Sequence, residues 1–133
     1  MIFVDSSFWV ALRFARDGRH EQARELLSKH GDASLVTSNH VRGETWTFLR
    51  RRTGHESAVQ FLDALARSPR LQVIFVSETL ERAALVWLRR RDEREYSYVD
   101  ATSFALMRSL GIREALAFDG DFQAAGFTEL RAA

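Results

Sequence analysis

A chain of 133 residues, 46% hydrophobic and 28% charged with one proline, is sized for a single domain over residues 1–133 and composed as a folded one, which excludes a disordered or low-complexity chain. Cysteine is absent, so disulfides, thiolate nucleophiles and cysteine-rich zinc sites are excluded. Net charge is only +1, yet Lys29 is the sole lysine among 19 basic residues; arginine forks suit a phosphate-bearing partner, and GC-rich coding produces the same bias without function, so composition leaves the partner open.

Residues 1–5, MIFVD, read as a short buried strand, and SSFWVALRFARD continues with helical spacing through Phe8, Leu12 and Ala15. An acid at the fifth residue and no basic start are unlike a signal peptide, and no apolar run approaches the roughly 18 residues of a membrane span; the expectation is a cytoplasmic, soluble protein with no membrane partner. HEQARELLSKH predicts a second helix with Ala23, Leu26 and Leu27 on one face. ASLVTS predicts a strand ending at Ser38, an N-cap for the helix NHVRGETWTFLRRR. GHESAVQFLDALARS predicts a further helix closed before Pro69. LQVIFV reads as the clearest strand, rich in branched residues, and Ser77 starts a helix over ETLERAALVWLRRRD with acids in its first turn. YVDATSFALMRSLG predicts a helix capped by Gly111 in the left-handed conformation. EALAF is a strand, DFQAAG a helical turn and FTEL a short final strand. Strands alternating with helices on apolar strand cores predict an α/β fold, a three-layer α/β/α sandwich with a mostly parallel central sheet.

In open sheets of this kind ligands sit beyond the carboxyl ends of the strands, where Asp5 and Asp119 both fall. Glu44 is three and four residues from Val41 and Phe48, which places it along the inward stripe of its helix. Asp100 lies in the first turn of an apolar helix, four residues before Phe104. Each acid alone also fits a cap or a turn, and Asp119-Gly120-Asp121 is a turn sequence. Together they put more charge at one buried edge than can stay ionised uncompensated, and a divalent cation resolves the conflict. With oxygen donors only, that cation is Mg²⁺ or Mn²⁺ rather than zinc. His20, His30, His40 and His55 are scattered and read as surface residues. Carboxylate-held magnesium works on phosphates, so phosphodiester cleavage is the expected chemistry.

The chain resembles the PIN domain, and more narrowly the VapC toxin ribonucleases of bacterial type II toxin-antitoxin pairs. The motifs that carry the resemblance are MIFVDSSFW, TSNHVRGETW, SYVDATSFA and AFDGDF, in that order over nearly the whole chain. The resemblance implies a metal-dependent endoribonuclease in which Asp5, Glu44, Asp100 and Asp119 are catalytic and hold one or two Mg²⁺ or Mn²⁺ ions, with Asp121 as a further ligand. It implies an auxiliary role for Ser6, a hydroxyl that orients the first acid or a water. Many relatives have threonine two residues before the fourth acid, where this chain has Ala117. The resemblance further implies cleavage of structured RNA, transfer or ribosomal, silencing by a cognate antitoxin protein whose arginine reaches the carboxylates, and a homodimer.

An acidic pocket that admits RNA needs flanking positive charge. Arg50, Arg51 and Arg52 are candidates, as are Arg89, Arg90, Arg91 and Arg94, which precede the Asp100 helix; both runs also fit solvated helix C-termini favoured by the dipole. Trp46, Phe61 and Leu62 are read either as core or as part of a partner groove. A dehalogenase-like phosphatase needs an acid two residues after the first Asp, where Ser7 stands, and a receiver domain needs a late lysine. A catalytically inactive PIN-like module that binds RNA or protein is the alternative reading.

Overall fold

The computed structural model describes residues 1–132. In chain order the elements are β1 (Ile2–Val4), α1 (Ser6–Arg13), α2 (His20–Lys29), β2 (Leu35–Ser38), α3 (Asn39–Thr53), α4 (His55–Arg67), β3 (Leu71–Ile74), α5 (Glu78–Arg89), α6 (Tyr98–Leu110), β4 (Glu114–Leu116), α7 (Asp121–Ala124) and β5 (Thr128–Glu129). The strands form one sheet in the order β3-β2-β1-β4-β5, every pairing parallel. Parallel neighbours cannot be joined by a tight turn, so each connection carries a helix back over the sheet. The helices pack mainly in two groups, α1 to α4 and α5 to α7, with α3 also meeting α6, and give the α/β/α sandwich.

The core is aromatic. Phe3, Phe8, Phe61, Phe104 and Phe122 are fully buried, and Phe104 meets Phe122 edge-on at 4.9 Å and Trp87 at 5.2 Å. Each such side chain contributes about 1.5–3 kcal/mol by leaving water. Phe61 stands edge-on to Trp9 at 5.9 Å and is plain core, so it offers nothing to a partner groove; Leu62 beside it is exposed, and Trp46 is half-buried against His55.

Two elements differ from expectation. The first helix stops at Arg13, because Phe14 turns extended (φ −107°, ψ 101°) and Asp17 then accepts a bond from the Arg19 amide at 2.8 Å, forming an Asx turn where helix was predicted. β3, read from sequence as the clearest strand, is the sheet's edge and is only half-buried, with Phe75 beyond it 66% exposed. Its branched residues suit an extended backbone whether or not both faces are covered.

β1 is the switch point of the sheet: the chain winds outward through β2 and β3 on one side and through β4 and β5 on the other. The carboxyl ends of β1 and β4 are paired neighbours, and the crevice above such a pair is where this architecture places ligands.

Candidate active site

Asp5 is the residue after β1 and the N-cap of α1. It is 1% exposed. Its Oδ2 accepts bonds from the Ser7 amide at 3.2 Å and the Ser7 hydroxyl at 2.8 Å, while Oδ1, also buried, has no hydrogen-bond partner among the described residues. Ser7 Oγ in turn accepts from the Phe118 amide at 3.0 Å, which ties the end of β1 to the segment after β4. The hydroxyl that orients the first acid is therefore Ser7. Ser6, expected from the resemblance to orient the first acid or a water, donates to Oε1 of Glu44 at 2.5 Å.

Asp100 is held by the helix start. Its amide donates to Ser97 Oγ at 2.9 Å and its Oδ2 accepts from the Ser97 amide at 3.0 Å, a reciprocal cap that fixes the carboxylate. Asp119 follows β4, and its Oδ1 accepts from the Asp121 amide at 3.1 Å. Asp100, Asp119 and Asp121 each offer an oxygen lying within 4.8 Å of the others. Burial first, then the charges of Asp119 and Asp100, pushes the Asp5 carboxyl up from 3.8 to about 8 against the opposing Ser7 bonds. Burial likewise pushes Asp100 up to about 7, with Asp121 and Asp119 adding to it. Asp119 is raised by burial and by Asp121 and Glu129. Anions gathered this closely compete for protons because each destabilises the charge of the next.

Glu44 is not on the buried stripe of α3 that its spacing suggested. Val41, Thr45 and Leu49 form that stripe, and Glu44, about 100° round the helix from Thr45, is exposed. It nevertheless faces the site: an open cavity of about 570 Å³ is lined by Ser6, Ser7, Glu44 and Asp119. The structure thus brings Asp100, Asp119 and Asp121 together, sets Asp5 where it feels the charges of Asp119 and Asp100, and puts Glu44 with Asp119 on the lining of the adjoining opening.

The same cavity holds a cation that the sequence reading passed over. Arg19 donates to the Phe118 carbonyl, lies over the Phe118 ring at 5.3 Å and lines the opening. The Asp17-Gly18 turn just before it was the available signal, masked by extending the first helix too far. Arg94 grips the turn from the other side, with Nε donating to Asp121 Oδ1 at 2.6 Å and Nη2 to the Asp119 carbonyl at 3.0 Å. Gly120 admits this fork, since a Cβ there would lie 3.0 Å from Arg94 Nη2 and the backbone is left-handed at φ 83°. Arg90 and Arg91 lie elsewhere, beside Ala105 and Arg108, five and eight residues or roughly 8 and 12 Å along α6 from Asp100.

Glu129 marks the contrast between a structural and a free acid. It is 4% exposed, but its oxygens accept from the Phe122 and Gln123 amides at 3.1 and 3.2 Å and from Arg131 at 2.8 Å. Its lone pairs are spent inside the fold. Those of Asp5 are not, and all-oxygen donors with an orphaned buried atom fit a hard divalent cation.

The PIN domain family model matches residues 2–128. The chain is 56% identical over 131 residues, 98% of each chain, to the 23S rRNA-specific endonuclease VapC20 of Mycobacterium tuberculosis, in strains CDC 1551 / Oshkosh and ATCC 25618 / H37Rv. It is also similar to the crystal structure of Mycobacterium tuberculosis VapC20, a sarcin-ricin loop cleaving toxin, at a TM-score of 0.91 and 55% identity over 98% of this chain and 99% of that one. A parallel sheet with its acids gathered at the switch point, and this likeness along nearly the full length, have one common explanation: the chain belongs to the PIN-domain family, in its VapC branch.

Proposed function

We propose that this protein is a metal-dependent endoribonuclease toxin that cleaves structured ribosomal RNA at a sarcin-ricin loop. The observation that carries the reading is the convergence of Asp5, Asp100, Asp119 and Asp121 with an unpartnered buried oxygen on Asp5. The relatives named above supply the substrate class.

Asp5, Asp100 and Asp119, with Glu44 and Asp121 beside them, are the residues that would hold Mg²⁺ or Mn²⁺. Such a cation, when bound, polarises a phosphoryl oxygen and lowers the pKa of water. The chain's own residues do the rest. Ser7 and the Ser97 cap hold Asp5 and Asp100 in fixed orientation, so that little reorganisation accompanies the reaction. Glu44, with Oε1 held by Ser6, keeps Oε2 free to take a proton from the attacking water. Arg19, anchored on Phe118 at the mouth of the cavity, presents a fork to a phosphate. Arg94 is committed to Asp121 and shapes the turn, and Arg89, Arg90 and Arg91 are assigned to more distant phosphates of the RNA.

As a toxin of this branch the protein acts in the cytoplasm, is silenced by a cognate antitoxin and works as a homodimer. Among the described residues no helix is long and apolar enough to cross a membrane. The test is cleavage of an RNA hairpin copying the sarcin-ricin loop. Mg²⁺ or Mn²⁺ should be required and EDTA should stop the reaction, and Asp5→Asn and Asp100→Asn should each lose at least ~100-fold in rate, the scale set by removing one charge-stabilising group from a preorganised site. Variants that cut as fast as the parent overturn the assignment; binding without cleavage in either metal favours an inactive RNA-binding module.

A further inference from the structure

We propose that the groove between α3 and the start of α6 is a subsite for one unpaired nucleotide adjoining the scissile phosphate. This deepens the nuclease reading and rests on it. The groove, of about 780 Å³, falls in the ligand-sized range of roughly 300–1,000 Å³. It shares Glu44 and Phe48 with the catalytic cavity and is bounded across from α3 by Val99, the residue before Asp100. A strand laid with its phosphate over the acids must pass a neighbouring nucleotide into this space.

Two stripes of α3 at i, i+4 spacing build the wall. One runs from Gly43 through Thr47 to Arg51, the other from His40 through Phe48 to Arg52. Phe48 and Val99 are flat or apolar contacts for a base, and Arg52 lies over the Phe48 ring at 5.4 Å. Thr45 and Thr53 turn their hydroxyls back to carbonyls four residues earlier, a bond Thr47 does not make among the described residues. His40, stacked at 6.1 Å on the half-exposed Tyr98, also lines the groove, with its Nε2 3.7 Å from Glu81 Oε1. Apolar faces, polar edges and two guanidinium groups at one end match a base joined to a phosphate.

Gly43 is the independent observation. It sits inside a 15-residue helix, where glycine costs about 1 kcal/mol relative to alanine. Nothing in the fold requires it: a Cβ there would meet no atom within 4 Å, and the residue is exposed on the groove wall. The helix dipole explains cations at the end of α3, but not a glycine in its middle. Close approach of an occupant to the backbone does explain it.

The experiment compares Gly43→Ala and Gly43→Leu with the parent on the sarcin-ricin hairpin, with and without an abasic site at each nucleotide flanking the cut. Both variants should fold, Gly43→Ala with an unchanged or higher thermal midpoint. Gly43→Leu should raise KM by about 10-fold or more, the scale of one lost base contact, with kcat nearly unchanged. One abasic position should weaken the parent and have no further effect on Gly43→Leu. An unchanged KM beside an active parent overturns the subsite and leaves the nuclease reading standing. An inactive parent overturns the nuclease reading instead, and hairpin binding by Gly43→Leu then decides the groove, an unchanged Kd ending the proposal. Loss of antitoxin inhibition with RNA parameters intact assigns the groove to a protein and also overturns it.

Discussion

Asp5 is the point where fold and function pull hardest against each other. Its carboxyl is pushed to about 8 in the folded protein from an ordinary 3.8, so between about pH 4 and pH 8 the folded state binds a proton that the unfolded state has released. Stability from this group is therefore complete near pH 4 and is lost as pH rises through 8. Asp100, pushed to about 7, acts in the same direction. One unit is worth about 1.4 kcal/mol, and because the acids titrate together the combined loss is on the order of a few kcal/mol. In EDTA the thermal midpoint should fall from pH 5 to pH 8, and Mg²⁺ should restore it at the upper end. Asp5→Asn, which cannot ionise, should melt several degrees above the parent at pH 8 in EDTA, at roughly 3–5 °C per kcal/mol, with the gap closing toward pH 5. A parent whose midpoint climbs over that range in EDTA would mean the acids do not share one site. At this scale the placement of Asp5 and Asp119 beyond strand ends was readable, since a carboxylate ending an apolar strand has few exits. The division of labour between Ser6 and Ser7 was not, because adjacent residues at a helix start point to different neighbours, and only the register of β1 against β4 decides which meets which.

The elements that place these residues were legible where local chemistry closes them: Ser38 and Ser77 cap helices as their positions predict, and Gly111 ends α6 left-handed at φ 69°, while the Ser97 cap of α6 emerges only in the structure. What sequence adjacency misjudged is the pairing of α5 with α6. Ala84 packs on Ala101 and Ala105, Trp87 on Phe104, and Arg108 lies over Trp87 at 5.6 Å, so the two helices run in the same direction. The segment between them doubles back, fastened by Tyr96 on Trp87 at 4.7 Å and by Arg94 on Asp121. Closeness to Asp100 in sequence thus sends Arg94 to the acids and Arg91 away from them. The cap at the head of α6 permits a separate test. Ser97→Ala removes the oxygen that accepts the Asp100 amide but leaves the Ser97 amide bonded to Asp100 Oδ2. It should cost about 1 kcal/mol in urea unfolding, with the Mg²⁺ concentration for half-maximal cleavage moving by no more than a few-fold. A large rise in that concentration would show that the hydroxyl, not the amide, holds the carboxylate in place.

Across the whole molecule, a net charge near zero hides a local grouping: a few of the acids gather at one edge of the sheet and several of the arginines stand near them at graded distances. Arg19 and Arg94 touch the Phe118–Asp121 turn, Arg51 and Arg52 line the adjoining groove, and Arg90, Arg91 and Arg108 form an outer group with Arg91 over Trp87 at 5.3 Å. That outer group lies five to eight residues, roughly 8 to 12 Å, along α6 from Asp100, and none of its members is among the leading groups that shift Asp5, Asp100 or Asp119, so it is placed to meet a substrate longer than the site. A folded RNA has such length. Arg90→Ala with Arg91→Ala should therefore leave kcat at saturating RNA and the metal requirement unchanged, weaken RNA binding, and flatten the plot of log K against log salt by roughly 1 to 2, the loss of one or two phosphate contacts. The charge reading and the helix-dipole reading separate here, because a dipole-stabilising arginine affects melting and leaves the salt slope alone. An unchanged slope with a lowered thermal midpoint would return Arg90 and Arg91 to the end of α5 as solvated cations and confine the RNA footprint to the edge of the sheet.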